Sequence, residues 1–212
     1  RKVDISGFRN ILSEKCSDAT VKWFSMPHTE LLKPARKDTP FLEGGDVIVL
    51  GKTVLVGNTL NPSVGSNEAG YQWLKNILGD QYKVKRVRLV ESVLHLDCVL
   101  SVPRRGLAII CEEAFVDGLP KELKGWDLIR VSLADVQRLA VNGVPVNSQN
   151  YILSYNRHND NRTIQAELEK RGIKVHRVFF GTHNGQGGSL RCATQPLKRK
   201  VKMTKAHESQ RK

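Results

Sequence analysis

A histidine and an aspartate two residues apart could act together in acid–base chemistry. They lie in residues 94–101, Leu-His-Leu-Asp-Cys-Val-Leu-Ser, which predict a strand whose alternate side chains share a face. His95 and Asp97 would then lie on one face, while Cys98 would pack on the apolar face opposite. An imidazole beside a carboxylate can transfer protons at a sheet surface, although a solvated polar edge gives the same pattern.

Two glycine-containing segments hold further reactive groups. Residues 41–46 read Phe-Leu-Glu-Gly-Gly-Asp, so a tight turn could bring a carboxylate to a ligand or a histidine, although an ordinary solvated turn has the same composition. Residues 185–192 read Gly-Gln-Gly-Gly-Ser-Leu-Arg-Cys, a flexible loop that would leave Cys192 open to a substrate. Its thiolate would be nucleophilic beside a positive charge or a histidine, whereas a lone cysteine is more often buried.

Regular elements must position these segments. Two apolar runs, 47–50 and 53–56, flank Gly51-Lys52 and predict a hairpin, and apolar residues at helical spacing predict a helix that closes near Gly79. Alternating strands and helices favour a mixed α/β layered fold. The other predicted elements are strands over 94–101, 107–111, 151–154 and 173–180, helices over 132–139 and 163–171, a loop over 181–188 and an extended segment over 190–194.

Composition limits the class of protein. The chain has 212 residues, 40% of them hydrophobic, which is enough for a core and excludes wholesale disorder. No apolar run approaches the ~20 residues of a membrane helix, so no membrane partner is expected. Four cysteines without a paired spacing favour a reducing compartment, the cytoplasm.

The formal net charge is +13, and part of it lies at the end of the chain. Residues 198–212 contain seven basic residues and one acid, and we expect them to form a disordered tail. Nucleic-acid binding through this tail is disfavoured, because aromatic residues make up only 6% of the chain and form no stripe with basic ones.

In their order along the chain, three motifs resemble those of the guanidino-group-modifying superfamily, which contains arginine deiminases, dimethylarginine hydrolases and glycine amidinotransferases. The motifs are Glu-Gly-Gly-Asp, Leu-His-Leu-Asp and Gly-Gly-Ser-Leu-Arg-Cys-Ala-Thr, and the resemblance runs from about residue 41 to residue 197. It implies a pentein fold, an α/β propeller of ββαβ modules that lacks part of the first module because only 42 residues precede Glu43. It also implies a catalytic domain over residues 1–197, followed by the basic tail over 198–212.

The resemblance implies roles for individual residues. Cys192 resembles the nucleophile, His95 the general acid and base, and Glu43 the carboxylate that orients the histidine. The substrate-binding residues implied are Asp97, Asp46 and Gly188. The resemblance implies no metal and no organic cofactor, and the expected partner is a small guanidino substrate such as arginine. An oligomer is left open.

Three hypotheses for the function follow. The leading one is a hydrolase, in which Cys192 attacks the guanidinium carbon and water releases a ureido product. The second is an amidinotransferase, in which an amine replaces water. It is favoured by Gly65, which stands where many hydrolases of the superfamily have an arginine. The third is a catalytically silent binding module with a basic tail, since no Phe-x-Arg-Asp segment, another guanidinium contact in the family, precedes Phe41.

Overall fold

Three small sheets follow one another along the chain in this computed structural model, which describes residues 22, 24, 26, 39–194 and 196. Each sheet has three strands and the same plan: an antiparallel hairpin, then a third strand that runs parallel to the second. The mixed α/β class predicted from the sequence is therefore confirmed. The propeller implied by the resemblance is not confirmed, because the described residues form three separate sheets and no closed barrel.

The first and third sheets place a helix before the parallel strand. The first sheet consists of β1 (Val47–Leu50), β2 (Thr53–Thr59), helix α1 (Glu68–Leu78) and β3 (Lys83–Leu89). The third consists of β7 (Val144–Asn147), β8 (Asn150–Tyr155), helix α3 (Arg162–Lys170) and β9 (Lys174–Phe179), after which comes the short helix α4 (Gly181–Asn184).

The second sheet differs in its crossover. It consists of β4 (Leu100–Arg104), β5 (Leu107–Ile110) and β6 (Asp127–Arg130), and two 3-10 turns, Glu112–Ala114 and Lys121–Leu123, stand where the other sheets have a helix. Helix α2 (Leu133–Gln137) follows β6 and begins at Ser132, whose side chain forms a reciprocal capping box with Asp135.

This plan gives each sheet two distinct ends. The first strand of a sheet runs away from the turn that precedes it, and its hairpin turn lies at the far end. The second and third strands are parallel and return to the near end. The segments before β1, β4 and β7 therefore meet at one end, and the hairpin turns 51–52, 105–106 and 148–149 lie at the other.

Helix α1 fixes the segment that leads into β1. The helix begins after Asn67, whose side-chain oxygen accepts a hydrogen bond from the backbone N–H of Gly70 (2.9 Å), and it ends at Gly79 as predicted. A Cβ on Gly70 would lie 1.9 Å from the carbonyl oxygen of Phe41, so only glycine allows residues 39–42 to cross the helix this closely.

The core lies between the sheets. All four residues of β5 are buried, and Leu55, Leu89, Leu96 and Tyr151 pack in the same cluster. None of the helices within the described residues is long and apolar enough to cross a membrane.

The structure corrects three of the predicted elements. The first part of the predicted loop over 181–188 is the short helix α4, Gly181–Asn184. Residues 94–101 do not form one strand, because Leu96–Cys98 is a 3-10 turn and β4 begins only at Leu100. Residues 190–193 form a turn, not an extended segment. The predicted tail over 198–212 lies outside the described residues, and so do the start and end of the predicted catalytic domain.

Candidate active site

Four of the predicted residues meet at the end of the sheets where the first strands begin. Nε2 of His95 donates a hydrogen bond to Oε2 of Glu43 (2.5 Å), which joins the turn before β4 to the turn before β1. The sulfur of Cys192 lies 3.9 Å from Oδ2 of Asp97. A thiol, an imidazole and two carboxylates are thus brought together from three distant parts of the sequence.

Asp46 holds two of these turns in place. It is completely buried, and its two carboxylate oxygens accept hydrogen bonds from the backbone N–H of Ser66 (2.9 Å) and of Leu96 (3.0 Å). The hydroxyl of Ser66 in turn accepts from the N–H of Glu43 (2.9 Å). Asp46 therefore supports the backbone of both turns and presents no exposed oxygen to a substrate.

The 3-10 turn explains why the predicted alternation of faces is wrong. In a strand the side chains of Asp97 and Cys98 would point apart, but in this turn both are buried together. The thiol of Cys98 donates to Oδ1 of Asp97 (3.6 Å). Cys98 is buried as predicted, but it does not lie on an apolar face opposite the acid.

Gly45 brings the chain against the ring of His95. A Cβ at this position would lie 2.9 Å from Cγ and Nδ1 of the imidazole and 3.0 Å from Oδ1 of Asp97. A side chain here would therefore displace the two groups that the site needs, which gives the Glu-Gly-Gly-Asp motif a steric reason for its second glycine.

Asn142 is a site residue to which the sequence analysis gave no role. Its side-chain oxygen accepts hydrogen bonds from the backbone N–H groups of Arg191 (3.1 Å) and Cys192 (3.2 Å). Its amide group donates to the carbonyl oxygen of Asp97 (3.2 Å). Asn142 is almost completely buried just before β7, so it links the turn of Cys192 to the turn of Asp97.

The predicted Gly188 lies in the segment that leads to Cys192. A Cβ at Gly188 would lie 3.5 Å from the Cβ of Cys192, an ordinary contact. The carbonyl oxygen of Gly188 accepts from the side chain of Asn184 (3.1 Å), and the hydroxyl of Ser189 donates to that of Ser154 (2.9 Å). These bonds position the loop, and a substrate-binding role for Gly188 stays a prediction.

The electrostatics favour a thiolate at Cys192. The pKa of Cys192 is lowered to about 5. A hydrogen bond from the Cys98 thiol lowers it most, against the opposing effect of partial burial. Hydrogen bonds from Ser189 and Asn142 and the positive charge of His95 lower it further. Cys192 is exposed to solvent, and its sulfur lies 3.9 Å from the carboxylate of the buried Asp97.

The pKa values of Asp97 and His95 are raised, whereas that of Cys192 is lowered. Burial and the adjacent Cys192 thiolate raise the pKa of Asp97 to about 7, against the influence of His95. Burial opposes protonation of His95, but its hydrogen bond to Glu43 and the negative charges of Asp46, Glu43 and Asp97 outweigh burial and raise its pKa. These shifts favour the ionised form of the Cys192 thiol and the protonated form of His95.

The same cluster contains a set of potential metal ligands. One carboxylate oxygen of Asp97 and the sulfurs of Cys98 and Cys192 all lie within 4.8 Å of one another. Two thiols and a carboxylate are donors that zinc accepts. The prediction that the protein needs no metal or organic cofactor stays a prediction.

The fold and the sequence place the chain in the guanidino-group-modifying superfamily. Residues 22–199 match the family described as N,N dimethylarginine dimethylhydrolase, eukaryotic, and the chain belongs to this family. In sequence it is 30% identical over 182 residues to YkgA, an uncharacterized protein of Bacillus subtilis (strain 168), a match that covers 85% of this chain and 59% of that protein.

Two amidinotransferases are also similar. The L-arginine:L-lysine amidinotransferase of Pseudomonas savastanoi pv. phaseolicola is 27% identical over 172 residues, which cover 77% of this chain and 46% of that enzyme. The solved structure of SxtG, an amidinotransferase from Microseira wollei, superposes with a TM-score of 0.78 at 21% identity, covering 95% of this chain and 64% of that one. The chain thus spans about half to three fifths of the length of the curated relatives it matches.

Proposed function

We propose that the chain carries the reactive thiol of an enzyme that cleaves a guanidino group, and that the reaction is hydrolysis. The observation that carries the proposal is the position of the Cys192 sulfur, 3.9 Å from the Asp97 carboxylate and on the same side of the sheets as the His95–Glu43 pair. Membership of the dimethylarginine dimethylhydrolase family supports the choice of hydrolysis.

The reaction divides into two steps. In the first, Asp97 accepts hydrogen bonds from the planar guanidinium and holds its central carbon against the Cys192 sulfur. The thiolate forms a C–S bond, the C–N bond to the departing amine or ammonia breaks, and His95 supplies the proton that the leaving group takes. In the second step His95 removes a proton from water, and the hydroxide adds to the carbon. The C–S bond then breaks to give the free thiolate and a protonated ureido group, which gives its extra proton to solvent and leaves the neutral ureido product.

The charges of the site suit this sequence. A lowered pKa favours the nucleophilic thiolate of Cys192, and a raised pKa favours the protonated form of His95 that the leaving group needs. Glu43 holds the ring of His95 through Nε2, which leaves Nδ1 as the nitrogen for proton transfer. A bound guanidinium would lower the raised pKa of Asp97 and keep this carboxylate ionised.

The other two predicted substrate-binding residues would contribute indirectly or through the backbone. Asp46 would act only through the turns of Glu43 and Leu96 that it joins, since both of its oxygens are already engaged. Gly188 would contribute by leaving space beside Cys192, because a glycine has no side chain next to that residue.

An amidinotransferase is the second candidate. The 27% identity to an L-arginine:L-lysine amidinotransferase favours it. The first step would be unchanged. In the second step His95 would remove a proton from the amine of an acceptor, and this amine would attack the carbon in place of water. The C–S bond would then break, and the acceptor would leave with the amidino group.

Mass spectrometry of the intact protein, combined with product analysis, tests the proposal. The protein is mixed with arginine, agmatine or methylated arginines, with and without glycine or lysine as acceptor. A ureido product without acceptor supports the hydrolase, an amidino-acceptor product supports the transferase, and an amidino adduct on Cys192 supports the shared first step. A folded protein that yields none of these contradicts both and favours the silent binding module.

Two variants sharpen the experiment. Cys192→Ala should abolish turnover, whereas Cys111→Ala should retain it, because Cys111 is buried directly after β5 and is not part of the Asp97–Cys98–Cys192 group. Removal of residues 198–212 should leave turnover within a few-fold, since no residue of the proposed mechanism lies there. Turnover by Cys192→Ala would sink the mechanism.

A further inference from the structure

A buried tyrosine of the third sheet contacts the backbone on both sides of Asn142. Tyr151, in β8, is completely buried, and its hydroxyl lies 2.8 Å from the hydroxyl of Ser101 in β4. The Tyr151 hydroxyl also donates to the carbonyl oxygen of Val141 (3.4 Å), and it accepts a hydrogen bond from the backbone N–H of Gly143. One phenol oxygen therefore bonds to the residue before Asn142 and to the residue after it.

The glycine at position 143 allows this close approach. A Cβ at Gly143 would lie 2.4 Å from Cε1 and 2.6 Å from the hydroxyl oxygen of Tyr151. The N–H of Gly143 also donates to the carbonyl oxygen of Val141 (2.8 Å), which closes residues 141–143 into a tight turn. The tyrosine ring therefore lies against the backbone from which the Asn142 side chain projects.

We propose that Tyr151 is a positioning residue: it fixes the backbone of residues 141–143, so that Asn142 can hold the turn of Cys192 beside Asp97. The proposal rests on the proposed function only in taking Cys192 as the reactive residue.

The tether of the Cys192 turn depends on where the backbone of Asn142 lies. The N–H of Arg191 donates to the backbone carbonyl oxygen of Asn142 (3.3 Å) and to its side-chain oxygen (3.1 Å). The N–H of Cys192 donates to the same side-chain oxygen (3.2 Å). These bonds weaken steeply when their distances and angles change. The ladder between β7 and β8 begins only at Val144, so residues 141–143 depend on other contacts, and the Tyr151 hydroxyl supplies two of them.

Hydrogen exchange followed by mass spectrometry tests the proposal with Tyr151→Phe, which removes only the hydroxyl oxygen. The peptide containing residues 190–193 should lose about fivefold in protection, the effect of one neutral hydrogen bond. Ser101→Ala is the matched control, because it removes the other hydroxyl of the same buried pair and leaves the contacts of Tyr151 with residues 141–143. Protection of the same peptide should then stay within twofold of the unchanged protein.

Two further measurements separate positioning from general stability. In a chain that already carries Asn142→Ala, Tyr151→Phe should reduce protection of the 190–193 peptide by no more than twofold, because the side chain through which it acts is gone. With a guanidino substrate, Tyr151→Phe should lower kcat several-fold and leave KM within twofold. The sulfur of Cys192 is then displaced, whereas Asp97, which would bind the guanidinium, is held by its own 3-10 turn.

Each outcome is decisive once circular dichroism has shown that the variants are folded. Unchanged protection in Tyr151→Phe overturns the proposal. An equal loss in Ser101→Ala also overturns it, because the loss of any buried hydroxyl would then explain the effect, and so does a full fivefold loss in the Asn142→Ala background. Gly143→Ala is the second variant, and its Cβ should displace the ring and reduce protection at least as much. Exchange needs no substrate, so a chain without turnover contradicts the proposed function and leaves the exchange result intact.

Discussion

Replacement of Asn142 by alanine should release the turn that carries Cys192. The side chain makes three hydrogen bonds, to the N–H groups of Arg191 and Cys192 and to the carbonyl oxygen of Asp97, at 3.1 to 3.2 Å. Only the two bonds to Arg191 and Cys192 break when the turn opens, and each contributes about 1 kcal/mol, so the docked state of the turn should lose about 2 kcal/mol. That is about thirtyfold in the equilibrium between the docked and the open turn.

Hydrogen exchange followed by mass spectrometry measures this opening directly. The peptide containing residues 190–193 should lose about thirtyfold in protection, while peptides from β5 stay protected because that strand is buried. Turnover should fall together with protection, since an open turn no longer holds the Cys192 sulfur beside Asp97. Asn147→Ala is the matched control: Asn147 also accepts a backbone hydrogen bond (2.9 Å from the N–H of Gln149), but at an exposed position.

A second substitution separates docking from charge. Asn142→Asp retains an acceptor for the N–H groups of Arg191 and Cys192, so it should preserve part of the protection. Its negative charge beside Cys192 should raise the pKa of the thiol, so the acidic limb of the pH–rate profile should move to higher pH. Unchanged exchange of the 190–193 peptide in Asn142→Ala would refute the assignment of Asn142 as the tether of this turn.

Three further variants test the neighbouring contacts. Glu43→Gln should lower the pKa of His95, since the Glu43 carboxylate raises this pKa against the effect of burial. The alkaline limb of the pH–rate profile should then move to lower pH, and NMR titration of the His95 ring should show the same shift. Gly45→Ala should reduce turnover at least tenfold because its Cβ would displace the imidazole, whereas Gly185→Ala, with its nearest contact at 3.4 Å, should not. Asp46→Ala leaves two backbone N–H groups without an acceptor, and urea titration should show about 2 kcal/mol less free energy of unfolding, with equal stability contradicting its structural role.

The sequence predicted the elements whose signals are local. Gly51-Lys52 between two apolar runs marks the first hairpin, and Gly51 adopts the positive φ (63°) that this turn needs. Gly79 marks the end of α1, and Ser132 with Asp135 marks the start of α2. Each of these signals lies within a few residues of the structure that it specifies.

The features that the sequence did not predict depend on distant contacts. Residues 94–101 alternate like a strand, but the backbone of Leu96 is held by Asp46, 50 residues earlier, and a 3-10 turn results. Asn142 contacts residues 45 and 50 positions away, so no local pattern identifies it. The approach of Cys98 to Asp97 follows only from that turn, because a strand would have separated the two side chains.

The opposite end of the sheets offers places to attach a probe. The hairpin turns 51–52, 105–106 and 148–149 are exposed, and a Cβ added at Gly51 or Gly106 would meet nothing within 4 Å. Each turn is separated from the reactive thiol by the full length of a strand. A fluorophore, an affinity tag or an immobilising linker fused at one of these turns would leave the approach to Cys192 open, so the protein could be fixed to a surface with the Cys192 end facing solution.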